Sequence, residues 1–131
     1  MINKSFVWKA PKNAELITKS VANINSDSML VKVEACAVCG SDLRIFNHGN
    51  PRVKPGRTVG HEISGVVVSA GKNVSKFKKG DRLSIGADIP CNKPDYAFGH
   101  ELDGGFAEYI KLNKISIQKG PIQKIKKTTS Y

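Results

Sequence analysis

The chain has 131 residues, a formal net charge of +10 and a hydrophobic share of 40%. This length suits one domain with its own core, and no uninterrupted apolar run is long enough to span a membrane. An odd cysteine count with no signal-peptide core excludes a disulfide framework and predicts a cytoplasmic protein.

The positive charge raises the question of a nucleic-acid or membrane partner. Its lysines lie in turns and in a C-terminal tail, at Lys72, Lys76, Lys78, Lys79, Lys111, Lys114, Lys119, Lys124, Lys126 and Lys127. They lack interleaved aromatic residues and any recognisable binding motif. We therefore do not favour a nucleic-acid partner, and we expect no membrane partner.

Short segments rich in β-branched residues recur along the chain, separated by Gly and Pro turns. They predict strands over 5–9, 15–21, 29–38, 62–70, 82–85, 106–112 and 115–117. Strand 62–70 is nearly all apolar, which predicts burial on both faces, whereas 86–104 has no clear period. A short helix is expected only near 41–46. This pattern favours an all-β barrel or sandwich.

Two polar clusters carry the chemistry of the chain. Cys39-Gly40-Ser41-Asp42 follows strand 29–38, and Gly60-His61-Glu62 opens strand 62–70. Thiolate, imidazole and carboxylate are all zinc ligands. Taken singly, each residue has a plainer interpretation, such as a buried free cysteine or a helix cap. Together the two clusters favour a metal site formed by Cys39, His61 and Glu62.

These clusters and the later motifs resemble the N-terminal catalytic domain of zinc-dependent medium-chain alcohol and polyol dehydrogenases. The later motifs are Gly65-Val66-Val67, Gly71, Val74, Phe77, Gly80-Asp81-Arg82 and Gly104-Gly105-Phe106-Ala107-Glu108-Tyr109. The resemblance runs from about residue 6 to residue 131. It implies a partly open, GroES-like β-barrel with one or two short helices.

The resemblance also implies roles for the metal residues. Cys39 and His61 would bind a catalytic zinc, and Glu62 would be a third ligand or one that exchanges with water. Zinc held by three protein ligands keeps a fourth position for the alcohol oxygen, on which it acts as a Lewis acid. Because the final protein ligand of many relatives lies beyond this chain, we expect zinc to bind weakly or partially.

The resemblance assigns catalytic roles to three further residues. Asp42 would orient the His61 imidazole, and Ser41 would be the hydroxyl of a proton relay. Arg44 stands where some relatives use a histidine to complete that relay. Helix capping by Ser41 or Asp42 is an equally good interpretation, and the two roles are compatible.

The chain departs from the family at the lobe that holds a structural zinc in most members. Only Cys91 remains of four closely spaced cysteines, and one thiolate cannot form a closed tetrahedral site. We expect Cys91 to be a reduced, metal-free thiol. A second Gly99-His100-Glu101 motif is interpreted as structural.

The second departure is the absence of a dinucleotide-binding domain. No G-x-G-x-x-G motif occurs in the sequence. We therefore interpret residues 1–131 as a truncated or engineered catalytic domain, inactive alone, whose parent would use NAD or NADP with a small alcohol or polyol. The alternative is a GroES-like binding or folding module without catalysis. An apolar surface along 110–125 would be exposed and would support self-association.

Overall fold

The computed structural model describes residues 1–91 and 96–130. Within these ranges the elements in chain order are β1 (Ile2–Ala10), β2 (Asn13–Ser20), β3 (Met29–Ala37), α1 (Gly40–His48), β4 (Arg57–Thr58), β5 (Glu62–Ala70), β6 (Arg82–Ile85), β7 (Asp88–Ile89), β8 (Tyr96–Ala97), β9 (Tyr109–Leu112), α2 (Lys114–Lys119) and β10 (Ile122–Lys124). Strand therefore dominates, as predicted. Pro94 and Tyr131, which belong to segments discussed above, lie outside the described residues.

Antiparallel pairing organises the strands into three sheets. The largest has five strands in the order β10-β6-β5-β3-β9, and a second has the order β2-β1-β4. A short hairpin pairs β7 with β8. The main core lies on one side of the five-stranded sheet and includes Met29, Val67, Leu83 and Phe98.

The two larger sheets are joined by the segment that leads into β9. Ala107 bridges to Ser5 in β1, and Glu108 N–H donates to Lys4 O at 3.0 Å. The same residue also pairs with β3, because Val33 N–H donates to Glu108 O at 2.9 Å. This crossing strand closes the sheets part of the way into a barrel. The expected partly open, GroES-like barrel is therefore confirmed.

A smaller core fixes the helix α1 on the β1–β4 sheet. Ile45 packs there with Trp8, Val53 and Val59, and the Phe106 ring lies against the same cluster. Gly49 ends the helix with φ +77°, and its N–H donates to Ile45 O at 2.8 Å. Packing of one apolar side of α1 therefore sets the position of its N-terminus.

The C-terminal region differs from its prediction. Residues 115–117 form part of α2 rather than a strand, because Asn113 caps this helix by accepting the Ser116 N–H at 2.9 Å. The expected exposed apolar surface along 110–125 is also wrong. Its apolar residues pack into the main core, where Ile110, Leu112, Ile117 and Ile122 are buried and Ile115 is partly buried.

Strand β5 is buried on one face only. Ile63, Gly65 and Val67 are buried, while the alternate residues are partly exposed. The prediction of burial on both faces was wrong because β5 belongs to an antiparallel sheet that leaves its outer face partly open to solvent.

Two further features bear on the class of protein. Cys36 and Cys39 are free thiols. Among the described residues, neither helix has the length and apolar character needed to cross a membrane.

Candidate metal centre

Cys39 lies at the N-cap of α1, directly after β3. Its backbone is extended, with φ −117° and ψ 177°, and its N–H donates to Asp42 Oδ2 at 2.9 Å. A carboxylate at this position satisfies a backbone donor that the helix itself leaves unpaired. The local sequence Cys-Gly-Ser-Asp therefore both starts the helix and holds the Cys39 side chain at its end.

His61 is positioned by a close backbone pairing between residues 58–60 and 104–106. Gly104 N–H donates to Thr58 O at 2.7 Å, and Gly105 N–H donates to Gly60 O at 2.9 Å. Gly60 has φ +90°, and a Cβ there would lie 2.7 Å from the Phe106 ring. Only glycine fits this backbone and this contact without strain. Gly60 therefore sets the direction in which the His61 side chain leaves the backbone.

The side chains of Cys39, Ser41 and His61 meet at one place. Cys39 Sγ lies 3.3 Å from His61 Nε2, and Ser41 Oγ lies 2.9 Å from that sulfur and 3.1 Å from the same nitrogen. Cys39 is 22 residues from His61 in sequence, so the fold brings them together. The predicted convergence of these two residues is present.

Asp42 lies on the other side of the His61 ring. Its Oδ1 is 3.6 Å from His61 Nδ1, and both atoms are buried without a hydrogen-bond partner. The two side chains are almost fully buried, with residue exposures of 6% and 8%. A carboxylate facing Nδ1 favours the tautomer with the proton on that nitrogen, which leaves the Nε2 lone pair directed at the Cys39 sulfur.

This donor set fits zinc. In a tetrahedral site with Zn–S of about 2.3 Å and Zn–N of about 2.0–2.1 Å, sulfur and nitrogen lie about 3.5 Å apart. The observed Sγ–Nε2 distance of 3.3 Å is close to that spacing. One oxygen of Asp42, the Cys39 sulfur and one ring nitrogen of His61 also lie within 4.8 Å of one another. Because this carboxylate faces the opposite ring nitrogen, we assign it to orienting His61.

The other predicted site residues lie outside this cluster. Glu62 is exposed at the start of β5, and its carboxylate is not among the mutually close donor atoms. Arg44 is exposed on α1. The predicted metal role of Glu62 and catalytic role of Arg44 stay predictions.

Cys36 lies near the site but differs chemically from Cys39. Burial raises the pKa of the Cys36 thiol to about 12, and the negative charges of Asp42 and Glu62 add to the rise. In the absence of metal, Cys36 therefore stays protonated at neutral pH.

An apolar pocket of about 380 Å³ adjoins the site through Asp42. Trp8, Val59 and Phe106 line its inner part, and Val38, Leu43 and Phe46 contribute exposed apolar side chains. Sequence patterns did not reveal this pocket, because its residues come from β1, α1 and three loops.

His100 is a second neighbour of the metal cluster that the sequence did not reveal. Its ring centroid lies 5.9 Å from that of His61. The next residue, Glu101, forms a bidentate contact with Arg52, with distances of 2.6 Å and 2.9 Å. Glu101 therefore has the structural role that was predicted for the second Gly-His-Glu motif. The His100 ring, in contrast, lies near the metal cluster.

Comparison with known proteins agrees with this fold. The alcohol dehydrogenase GroES-like domain family matches residues 25–121. An L-threonine 3-dehydrogenase of Caldanaerobacter subterraneus is 34% identical over an alignment of 122 positions, which covers 81% of this chain and 35% of that protein. A sorbitol dehydrogenase of Bacillus subtilis is 31% identical over an alignment of 128 positions, which covers 85% of this chain and 36% of that protein.

Solved structures show the same architecture. A zinc-binding dehydrogenase of Sinorhizobium meliloti, solved with NADP bound, superposes with a TM-score of 0.86 at 29% identity, over 99% of this chain and 40% of that one. The 2R,3R-butanediol dehydrogenase of Bacillus subtilis has the same TM-score at 23% identity, covering 98% of this chain and 42% of that one.

The chain belongs to the alcohol dehydrogenase GroES-like domain family. It spans about 35% of the length of the curated relatives that it matches.

Proposed function

We propose that this chain is the zinc- and substrate-binding domain of an NAD- or NADP-dependent alcohol or polyol dehydrogenase. The observation that carries the proposal is the convergence of Cys39 Sγ and His61 Nε2, 3.3 Å apart, from two motifs far apart in sequence. Cys39 and His61 would hold the metal, and Glu62 would be the ligand that exchanges with water. When bound there, zinc would supply Lewis-acid polarisation of an alcohol oxygen.

The chain's own residues would orient the site and handle the proton. Asp42 keeps a proton on His61 Nδ1 and so fixes the imidazole. Ser41 Oγ, which lies 2.9 Å from Cys39 Sγ, accepts the proton of the substrate hydroxyl. Arg44 is exposed on α1. An arginine does not give up its proton in proteins, so we propose that solvent near Arg44 takes the proton from Ser41.

The substrate would be a small alcohol or polyol that reaches the site beside the apolar pocket next to Asp42. This assignment is supported by the relatives, which include a threonine and a sorbitol dehydrogenase. NAD or NADP is proposed for a full-length parent enzyme, and the NADP bound in the similar Sinorhizobium meliloti structure supports this. A cytoplasmic location is also proposed, and the free thiols of Cys36 and Cys39 suit a reducing compartment.

Zinc binding tests the proposal. The purified chain, stripped of metal and dialysed against zinc, is expected to bind about one equivalent that a strong chelator removes, because Cys39 and His61 supply two close donor atoms while Glu62 lies outside the cluster. Cys39→Ser and His61→Ala should each abolish binding. Cys91→Ser is the matched control and should bind zinc as the wild type does.

Two outcomes would contradict the proposal in different ways. Unchanged zinc binding in Cys39→Ser and His61→Ala would show that zinc binds at another site. No zinc binding by the wild type would favour the alternative of a GroES-like binding module without catalysis.

A further inference from the structure

We propose that His100 is a third protein ligand of this metal and binds it through Nε2. The inference rests on the proposed zinc site at Cys39 and His61. His100 follows β8 in the turn that contains the second Gly-His-Glu motif, and its partly buried ring lies 5.9 Å from the His61 ring, with the planes inclined by 50°.

The hydrogen bonding of His100 leaves the correct nitrogen available. Its Nδ1 lies 3.3 Å from Phe98 O. A carbonyl oxygen only accepts hydrogen bonds, so this contact requires a proton on Nδ1 and leaves a lone pair on Nε2. His61 has a similar arrangement, with Nδ1 facing Asp42. Metal-binding histidines commonly donate their other ring N–H to a carboxylate or a backbone carbonyl. His100 meets this condition, whereas His61 Nδ1 faces the Asp42 carboxylate at 3.6 Å without a hydrogen bond.

The backbone on both sides of His100 is fixed against the site. On one side Gly99 has φ +74°, and a Cβ there would lie 3.0 Å from Gly60 N, directly before His61. On the other side Glu101 binds the Arg52 guanidinium and accepts the Ala97 N–H at 3.0 Å. A side chain held between two such contacts loses little conformational freedom when it binds a ligand.

The spacing of the two rings is close to that of a shared metal. Two imidazoles bound through nitrogen to one tetrahedral zinc, with Zn–N of about 2.0–2.1 Å, have centroids about 5 Å apart. Like Glu62, His100 is not among the mutually close donor atoms of the described residues, so metal binding would have to draw its ring inward by about 1 Å from the observed 5.9 Å. With Cys39 and His61, His100 would complete three protein ligands. The fourth position would then remain for Glu62, water or substrate.

Imidazole nitrogen chemical shifts test this assignment without relying on activity. The chain has three histidines, and His48, which is exposed at the end of α1, serves as an internal control. In long-range 1H–15N spectra of the wild-type chain titrated with zinc, the Nε2 resonances of His61 and His100 should both move to values of metal-bound nitrogen. The His48 resonances should not move.

Substitution gives an independent measurement. Co²⁺ serves as a spectroscopic probe for zinc. Loss of a residue that only hydrogen-bonds a metal ligand typically weakens metal binding by roughly 10–100-fold. His100→Asn should raise the dissociation constant for Co²⁺ by more than this. It should also change the visible Co²⁺ spectrum while the thiolate charge-transfer band from Cys39 remains. His48→Asn, the matched control, should bind Co²⁺ with wild-type affinity and spectrum.

The outcomes separate the two proposals. If zinc moves the His61 resonances but not those of His100, and His100→Asn binds Co²⁺ normally, the third ligand is refuted and the Cys39–His61 site stands. If zinc moves neither histidine, both the metal centre and this inference are refuted.

Discussion

Each carboxylate oxygen of Asp42 has a separate role. Oδ2 accepts the Cys39 N–H at 2.9 Å, and Oδ1 faces His61 Nδ1 at 3.6 Å. One residue therefore sets the start of α1 and the tautomer of the histidine across the site. Helix capping and metal support, which the sequence left as alternatives for Asp42, are compatible in this geometry.

Asp42→Asn separates these roles. The amide oxygen of the new side chain can still accept the Cys39 N–H, so the free energy of unfolding should change by less than about 1 kcal/mol. The neutral amide no longer favours a proton on His61 Nδ1, so zinc affinity should fall about 10–100-fold. Competition with a metal-binding dye measures the affinity. Wild-type affinity in the folded variant would show that the carboxylate does not support the metal.

The sequence was sufficient to predict the site residues that lie within short contiguous motifs. Cys39, Ser41, Asp42 and His61 were predicted because two short motifs carry them, and the structure brings them together. His100 was missed as a site residue because its proximity to His61 depends on the contact between Gly99 and Gly60. No local pattern in a single sequence reports such a contact.

Among the elements, the turn after β8 depends on the ion pair of Glu101. Burial acts to raise the pKa of Glu101, but the hydrogen bonds from Arg52 and from the Ala97 N–H outweigh it and lower that pKa from its ordinary value of 4.5. A lowered pKa in the folded state means that the carboxylate stabilises the fold above the unfolded-state pKa. This stabilisation is lost as the pH falls through the lowered value.

Glu101→Gln tests this pH dependence. At pH 7 the variant should unfold at lower urea concentration than the wild type, because Arg52 loses its charged partner. The difference in unfolding free energy should shrink as the pH falls below about 4.5, where the unfolded-state carboxylate is protonated. Glu15→Gln, which removes an exposed ion pair with Lys9, is the control and should have little effect at any pH. A difference for Glu101→Gln that does not vary with pH would contradict the ion-pair explanation.

The close pairing of 58–60 with 104–106 depends on Gly104. Its N–H donates to Thr58 O at 2.7 Å, and a Cβ at this position would overlap the Val59 and Gly60 carbonyls. Gly104→Ala should therefore destabilise the fold by about 1–3 kcal/mol and weaken zinc binding by displacing His61. Gly40→Ala is the control, because open space surrounds the new Cβ and alanine favours helix. Equal stability of the two variants would show that the pairing tolerates a side chain.

The strands were mostly predictable, but α2 and the outer face of β5 were not. The alternation of apolar residues at 115–117 is typical of a strand. These residues form a helix instead, because the Asn113 side chain caps its N-terminus. For β5, apolar composition alone does not reveal whether a second layer covers the outer face.

On the scale of the whole molecule, exposed apolar side chains concentrate around the pocket beside α1. Val38 is 65% exposed and Leu43 57% exposed, and Phe6 and Phe46 are exposed next to them. Self-association stays a prediction, now through these residues instead of 110–125. Leu43→Lys should lower the association measured by sedimentation velocity. Ile2→Lys, at the distant end of β1, should not. A wild-type chain that stays monomeric at high concentration would contradict the prediction.

Turnover is a second property of the whole molecule. The 131-residue polypeptide alone should not reduce NAD or NADP, because hydride transfer needs the nicotinamide held about 3–3.5 Å from the carbon that reacts. No phosphate-binding glycine motif occurs in its sequence to hold the cofactor. Zinc-dependent formation of NADH or NADPH by the purified chain, measured by the absorbance of the reduced nicotinamide, would refute this expectation.

The pairing of 58–60 with 104–106 also makes the amide protons of Gly105 and Phe106 reporters of the metal site. Both amides donate to backbone carbonyls of residues 59 and 60, at 2.9 Å, directly before His61. Local opening that exposes these amides to exchange would also displace His61 and release the metal. Zinc at about 100 times its dissociation constant should therefore slow their hydrogen exchange about 100-fold. Amides in β2, at the far edge of the other sheet, should exchange at unchanged rates by local opening.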